Sequence, residues 1–473
     1  MIHKINSISQ KKMYRILILS GIIFYVLFAL IDGPYFTNDS PSYMNLEISR
    51  EPLYSLFLAL CRMLVPLQND VYLYLAIILQ GILMAVTSSV LARYVTEELS
   101  LCNLVSLGIY SFPYLVALLF RFVAGEPGEQ FMYSNTILTE GVTVALHLLF
   151  VRYIFEYLRH QSKKSLIWSV VLCFIGINCR KQMIVWLMIL LLVVLFCNIR
   201  ESFVRNVVNC IAISVLVIFA SLLFDRTVNF FANDQFSGHV NDNRFIATMI
   251  FYTSDLTDLE CIEDEELRQL YKEIHERSKE QGLLKPSKES GMGWFERSFH
   301  FVCSYDEIQI RTMYPMIREK MPELEFASDI NDSQQRLDAI VRYYIDACLL
   351  NNLPRMGSVY VDNVLTGFVA TISQRNRLLS IYSIFMYIGY FASMGSLLIY
   401  GHKKGFSDEL KGIVTFASLC LLCILINVGV VGAVIFCQTR YVIYNMSVFY
   451  MAFLLMVQYI YRIVRGNIGE IND

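Results

Sequence analysis

The residues best suited to chemistry lie in one stretch, Gly33-Pro34-Tyr35-Phe36-Thr37-Asn38-Asp39-Ser40-Pro41-Ser42-Tyr43, which runs on through Met44 to Arg50-Glu51-Pro52-Leu53-Tyr54. It follows the first apolar run of a strongly apolar chain. A plain membrane connector needs none of its acids, aromatics and prolines, nor its Arg-Glu pair. A carboxylate there can accept a proton, and an Arg can hold an anion through paired N–H groups. Ser40 suits a helix N-cap and Pro41 the first helical position, so 41–50 reads as a short helix that stops before Pro52. Asp39 then sits at the mouth of that helix, where the dipole favours its ionised form.

What must position this loop is a membrane bundle. Of 473 residues, 56% are hydrophobic and 17% charged, and the mean hydropathy is +0.49, too apolar for a soluble globular protein. The net charge of −2 hides a segregation: residues 225–375 carry 25 of the 41 acids but only 16 of the 39 bases, so the remainder is net basic. Apolar runs long enough to cross lie near 14–31, 71–92, 101–120, 137–157, 181–198, 203–224, 378–399, 411–436 and 441–462, and a shorter run covers 166–179. With the short run included there are ten spans. Arg93, then Arg159 to Lys164, then Arg200 and Arg205, then His402 to Lys404, then Arg462 and Arg465 all fall on the side of the N-terminus, which the positive-inside rule makes cytoplasmic. Of ten prolines only Pro113 lies inside a span. The basic N-terminus before Ile16 to Ile31 looks like a signal peptide, but no small-residue cleavage site follows, so it reads as an uncleaved first span.

The expected fold is thus an all-α polytopic membrane protein of about ten transmembrane helices in three parts. Residues 1–224 form a transmembrane module whose first outer loop is 32–70, with 53–65 as a helix lying at the interface or dipping into the membrane. Residues 225–376 form an outward-facing, mainly helical domain, with helices at 264–281 and 333–350. Residues 377–473 return to the membrane, with both termini cytoplasmic. Most of the twelve cysteines lie in apolar runs, Cys420-x-x-Cys423 among them, and read as packing. Cys261, Cys303 and Cys348 lie in the polar segment, where one disulfide is open to them.

The polar residues at the outward span ends are Asp39, Arg50 and Glu51; Arg121, Glu126 and Glu129; Glu140; Arg180 and Lys181; and Arg440 and Tyr441. Carboxylates beside several cations at a membrane surface suit a lipid phosphate, whose head needs Arg or Lys and whose tail needs the bilayer. The plainer reading makes Arg180, Lys181 and Arg440 snorkelling anchors, and lets Arg50 pair with Glu51 or Glu47 to hold the loop.

Asn38-Asp39-Ser40 with Tyr43, followed by Arg50-Glu51-Pro52-Leu53-Tyr54, resembles the first-loop pattern of membrane glycosyltransferases of the GT-C fold, the group of protein mannosyltransferases and the aminoarabinose transferase of lipid A. Leu138-Thr139-Glu140 resembles the family's Thr-Glu opening the fourth span, Gly176 to Arg180 its glycine-bearing turn ending in Arg, and Arg440-Tyr441 its late Arg-Tyr. The resemblance covers most of the chain, although Ser55 replaces the family's Pro and Asp39 stands as a lone carboxylate. It implies transfer of a sugar from a polyprenyl-phosphate donor to a glycan, lipid or protein acceptor on the outer face, with inversion. Asp39 is then the catalytic base. Arg180, Lys181 and Arg440 face the phosphate, and Tyr43, Arg50, Glu51, Glu140 and Tyr441 bind or position substrate. No cofactor is expected, and one carboxylate between neutral neighbours is a poor seat for a hard divalent metal. Membrane lipids are partners; nucleic acid is not. The lack of a retention signal points to a bacterial inner membrane. Rival readings are an O-antigen-type polymerase or ligase, a transporter and a non-catalytic scaffold. A transporter places ionisable residues near span centres and pairs its halves, whereas here the charges gather at span ends.

Overall fold

The computed structural model describes residues 9–66, 70–122, 131–197, 199–240, 242–287, 290–321, 330–373 and 377–466. Among them there is no strand; the one β-type contact is a parallel bridge between Tyr35 and Thr136. The helices in chain order are α1 Gln10–Asp32, α2 Ser40–Met44, α3 Pro52–Leu64, α4 Val71–Glu98, α5 Asn103–Phe122, α6 Glu140–His160, α7 Lys163–Cys179, α8 Ile184–Phe196 and α9 Ile199–Asn233. There follow α10 Asn243–Tyr252, α11 Glu265–Glu280, α12 Trp294–Asp306, α13 Tyr314–Lys320, α14 Ile330–Ile372, α15 Arg377–Lys404, α16 Asp408–Val434, α17 Thr439–Val442 and α18 Met446–Val464.

Among the described residues eight segments are long and apolar enough to cross a membrane: Gln10–Asp32, Val71–Glu98, Asn103–Phe122, Glu140–His160, Phe203–Asn233, Leu378–Lys404, Asp408–Val434 and Thr439–Val464. The chain is therefore an α-helical integral membrane protein. The other two expected runs, 166–179 and 181–198, coincide with helices shorter than these, α7 and Lys181–Phe196. Pro113 lies inside α5, as read from the sequence.

Several expectations shift. Expected helix 41–50 shrinks to the five residues of α2; Ser40 lies inside it and Asp39 precedes it. The chain leaves helix at Asn45, and Leu46 takes a left-handed φ of 52°, which ends the helical run. Gly176 belongs to α7, which runs unbroken to Cys179, so 176–180 is no turn; a Cβ at Gly176 would stand 2.5 Å from the Trp186 ring, so this glycine serves helix contact. The boundary drawn at 225 falls within α9, because the polar residues there continue the helical hydrogen bonding. Cys261, Cys303 and Cys348 are free thiols. Amphipathic α3 does lie where expected, with Tyr54 and Leu58 buried and Leu60, Met63 and Leu64 exposed.

Packing of the first bundle follows from small residues. α1 crosses α4 at Gly81, where a Cβ would approach the Tyr25 Cβ to 2.7 Å. Next to Gly81, buried Gln80 accepts from the Tyr54 hydroxyl (2.9 Å) and donates to the carbonyls of Ser134 (2.8 Å) and Thr136 (3.1 Å). One amide thus satisfies two loop carbonyls and fixes α3 to the segment before α6. In the same place Tyr35 N donates to Asn135 O (2.8 Å) and Ile137 N to Tyr35 O (3.0 Å). These bonds lay the first loop beside the start of α6.

Beyond the bundle, the described residues between 234 and 321 fold onto α14, with Phe251, Tyr271, Tyr344 and Ile274 in their core. Asp258 ties the layers together: it accepts from Tyr271 (3.0 Å) and Asn351 (2.6 Å) and pairs with Arg355. A seven-residue π-helical segment, Glu307–Met313, directly follows α12, a geometry that is rare and concentrates at functional sites.

Candidate active site

Five charged side chains from four separate segments meet at one end of the bundle. Arg50 Nη2 lies 2.6 Å from Asp39 Oδ1, and Arg440 Nη2 3.2 Å from Asp39 Oδ2. Arg440 Nε lies 3.3 Å from Glu140 Oε1, and Arg180 Nη1 2.5 Å from the same oxygen. The order is Arg50, Asp39, Arg440, Glu140, Arg180, alternating in sign with one cation in excess.

Each member is placed by its element. Arg50 is held in the loop by donating to Ser42 Oγ (2.7 Å), which itself donates to Asp39 O (2.7 Å), and its guanidinium lies over the Tyr43 ring, 4.9 Å from the centroid. Glu140 opens α6, where the helix dipole favours a carboxylate. Arg180 leaves α7 in extended backbone, donating to Gln182 Oε1 (2.9 Å) and Thr139 Oγ1 (3.2 Å). Tyr441 presents its ring to both late cations, 5.2 Å from Arg180 and 5.0 Å from Arg440. Gln182 and Asn427 converge on Tyr441 O at 2.5 and 3.1 Å and so fix α17.

Exposure peaks inside the series: Asp39 and Arg440 are each 30% exposed, against 15% for Arg50, 11% for Arg180 and 1% for Glu140. The open part of the cluster is therefore Asp39–Arg440. Glu140 Oε1 and Arg440 Nε are buried and meet each other and Arg180 through ionic contacts without a well-aligned hydrogen bond. Burial opposes the charge of Asp39, but Arg50 and Arg440 outweigh it and hold the carboxyl down at about 2.

A second network flanks the first. Glu51 Oε1 accepts from the backbone N–H of Lys181 (2.6 Å), and Lys181 Nζ pairs with Asp242. His239 joins Asp242 (3.0 Å) to Asp225 (2.8 Å). Burial works against protonation of His239, yet its two carboxylates raise it to about 10, so it is imidazolium at neutral pH. Val240 N also donates to Ile48 O (3.0 Å). These contacts fasten the segment after α9 to the first loop.

Of the residues singled out in the sequence, Asp39, Tyr43, Arg50, Glu140, Arg180, Arg440 and Tyr441 are brought together, and Glu51 and Lys181 stand beside them. Arg50 pairs with Asp39 and not with Glu51 or Glu47. Asp39 does not project freely; both of its oxygens are engaged. Arg121 is elsewhere, in a two-point pair with Asp32 at 2.7 and 2.8 Å; Glu126 and Glu129 lie outside the described residues. Sequence reasoning missed Gln80, Gln182, Asn427 and His239. Gln80 and Asn427 had a readable signal, a polar amide inside an apolar run. Gln182 and His239 had none.

Among the described residues no group of three or more His, Cys, Asp or Glu side chains is arranged to hold a metal ion. Comparison with family models, with curated proteins and with solved structures found no match.

Proposed function

We propose that this chain is a membrane glycosyltransferase that moves a sugar from a polyprenyl-phosphate donor to a glycan, lipid or protein acceptor, with inversion. The observation that carries the reading is the Arg50–Asp39–Arg440–Glu140–Arg180 series, in which the positions that resemble the GT-C pattern stand within ion-pair distance of one another. Three guanidinium groups against two carboxylates leave one positive charge for an anion. In the reaction the acceptor oxygen attacks the anomeric carbon, and the bond from that carbon to the phosphate oxygen breaks with its electron pair. The phosphate leaves as an anion held by Arg, and the hydroxyl proton passes to Asp39. A lipid phosphate needs no general acid, so one carboxylate suffices.

Donor binding has a second effect. A phosphate that takes hold of Arg440 removes one of the two cations on Asp39, which raises the affinity of that carboxylate for a proton when the acceptor arrives. The same reading takes α7 and Lys181–Phe196 as two further crossings, ten in all. Basic loops at Arg159 to Lys164 and His402 to Lys404 then face the cytoplasm of a bacterium, and the cluster and 225–376 face outward.

The test is transfer from polyprenyl-phosphate sugars by the purified protein, with mass spectrometry of envelope glycans from a deletion strain to find the acceptor. Cysteine labelling in intact cells checks orientation, with Lys163 and Lys403 protected and Gln438 reactive. Labelling of Lys163 but not Gln438 would falsify both the orientation and the proposed site. Glu129, Glu289 and Asp473, which the sequence places outside, outside and inside, lie outside the described residues.

A further inference from the structure

Each cation of the cluster and its flank already has a carboxylate, but one guanidinium nearby does not. Arg244, in the first turn of α10, lies two residues past Asp242, which is itself paired with Lys181 next to Arg180. It is partly buried, and its Nε is enclosed without a hydrogen-bond partner. Among the described residues its guanidinium has no ion pair; it rests on the Phe245 ring, 4.8 Å from the centroid. Across from it, Asp306 ends α12 where the π-helical segment begins, exposed and likewise without an ion pair among the described residues. α10 packs against both α12 and the π-helical segment that follows it, which brings the two within electrostatic reach of each other, and Asp306 also lies within reach of Asp39 and Arg440. A row of aromatic contacts fixes this approach: Tyr305 packs on Phe436 (5.0 Å) and Phe436 on Tyr441 (6.1 Å), whose ring faces Arg440.

We propose that Arg244 and Asp306 are the two halves of a glycosyl-phosphate site lent by the outer domain, Arg244 binding the phosphate and Asp306 a hydroxyl of the attached sugar. The inference rests on the glycosyltransferase reading and adds to it a cation, Arg244, that shares the donor phosphate with the cluster. A phosphate bound only at Arg180 or Arg440 must compete with Glu140 and Asp39 for them, whereas at Arg244 it displaces no counter-ion and relieves a desolvated charge. A bare anion would leave Asp306 unmatched and repelled. An anion that carries hydroxyl groups satisfies both side chains, because an ionised carboxylate only accepts hydrogen bonds and a guanidinium only donates them.

The experiment measures binding to the full-length protein in detergent of three probes: a polyprenol, the polyprenyl phosphate, and that phosphate bearing glucose or mannose. The native protein is expected to prefer phosphate to alcohol and the glycosylated phosphate to both. Arg244→Ala should cost ~10–100-fold in affinity for both phosphates, the worth of a charge-assisted hydrogen bond, with partial recovery in Arg244→Lys. Asp306→Asn should remove only the preference for the sugar. If Arg244→Ala keeps the preference for phosphate and Arg440→Ala loses it, the assignment to Arg244 is wrong while the donor class stands. If the native protein does not distinguish phosphate from alcohol, the glycosyltransferase reading fails with it. Equal binding of bare and sugar-bearing phosphates by the native protein removes the role of Asp306.

Discussion

The two ends of the helical bundle both carry ion-pair clusters, built differently. At the end away from the site, Arg159 in the last turn of α6 reaches Glu98 (2.8 Å) and Asp408 (2.8 Å), His160 reaches Glu98 (2.7 Å), and Arg462 reaches Glu409 (2.5 Å). Basic residues there close helix C-termini, and Asp408 and Glu409 open α16, so each charge also suits its local dipole. The pairs join helix to helix, and Asp408 and His160 are more than half exposed. At the site end the cluster is drawn mainly from loops and helix junctions, it has three cations to two carboxylates, and Glu140 is almost fully buried. The first arrangement staples a bundle. The second holds a surplus positive charge beside an interior, which costs stability unless an anion joins it.

Substitutions at the two ends should separate these roles. The largest effect is expected for Asp39→Asn, which preserves size but cannot take a proton: turnover should fall on the order of 10²–10⁴-fold with donor binding retained and the protein still inserted. Near-normal turnover would erase the functional contrast between the ends. Next comes Glu140→Gln, which leaves buried Arg180 without its carboxylate and should destabilise by about 3–5 kcal/mol, read as thermal unfolding in detergent. An unchanged melting temperature would mean that the interior cluster is wetter than its 1% exposure of Glu140 implies. Arg159→Ala at the far end should cost about 1–2 kcal/mol and leave transfer per folded molecule intact; loss of turnover there would make the stapled end functional too.

A last prediction concerns pH. His239 is raised from its ordinary value near 6.5 to about 10 in the folded protein. Its stabilisation is thus complete below about pH 6.5, declines as pH rises and is gone above about 10. Native protein should lose thermal stability across that window while His239→Gln is flatter. Parallel curves would remove His239 from the contacts that fasten 239–242 to the membrane module.

The sequence by itself determined the class of protein and the cast of the site. Apolar runs of crossing length made a helical membrane protein unavoidable, since backbone N–H and C=O groups within a bilayer must be satisfied inside helices. Charges that cannot sit in hydrocarbon collected at span ends, which is why Asp39, Arg50, Glu140, Arg180 and Arg440 stood out before any contact was known. Local signals were weaker where tertiary contacts competed with them: the Ser40-Pro41 signature gave a helix of only five residues because Leu46 turns left-handed and its carbonyl accepts a bond from Asn233. Which acid meets which base was decided only by the tertiary structure. Arg50 is adjacent to Glu51 and near Glu47 in sequence, yet pairs with Asp39, and Arg440 reaches Asp39 across 401 positions. Ion pairing depends on distance and burial in three dimensions, and a sequence fixes neither for residues on different elements. The same holds for Arg244 and Asp306: nothing in their local sequence distinguishes them, and their surroundings are set by the packing of α10 and α12 on each other and of Tyr305 on Phe436.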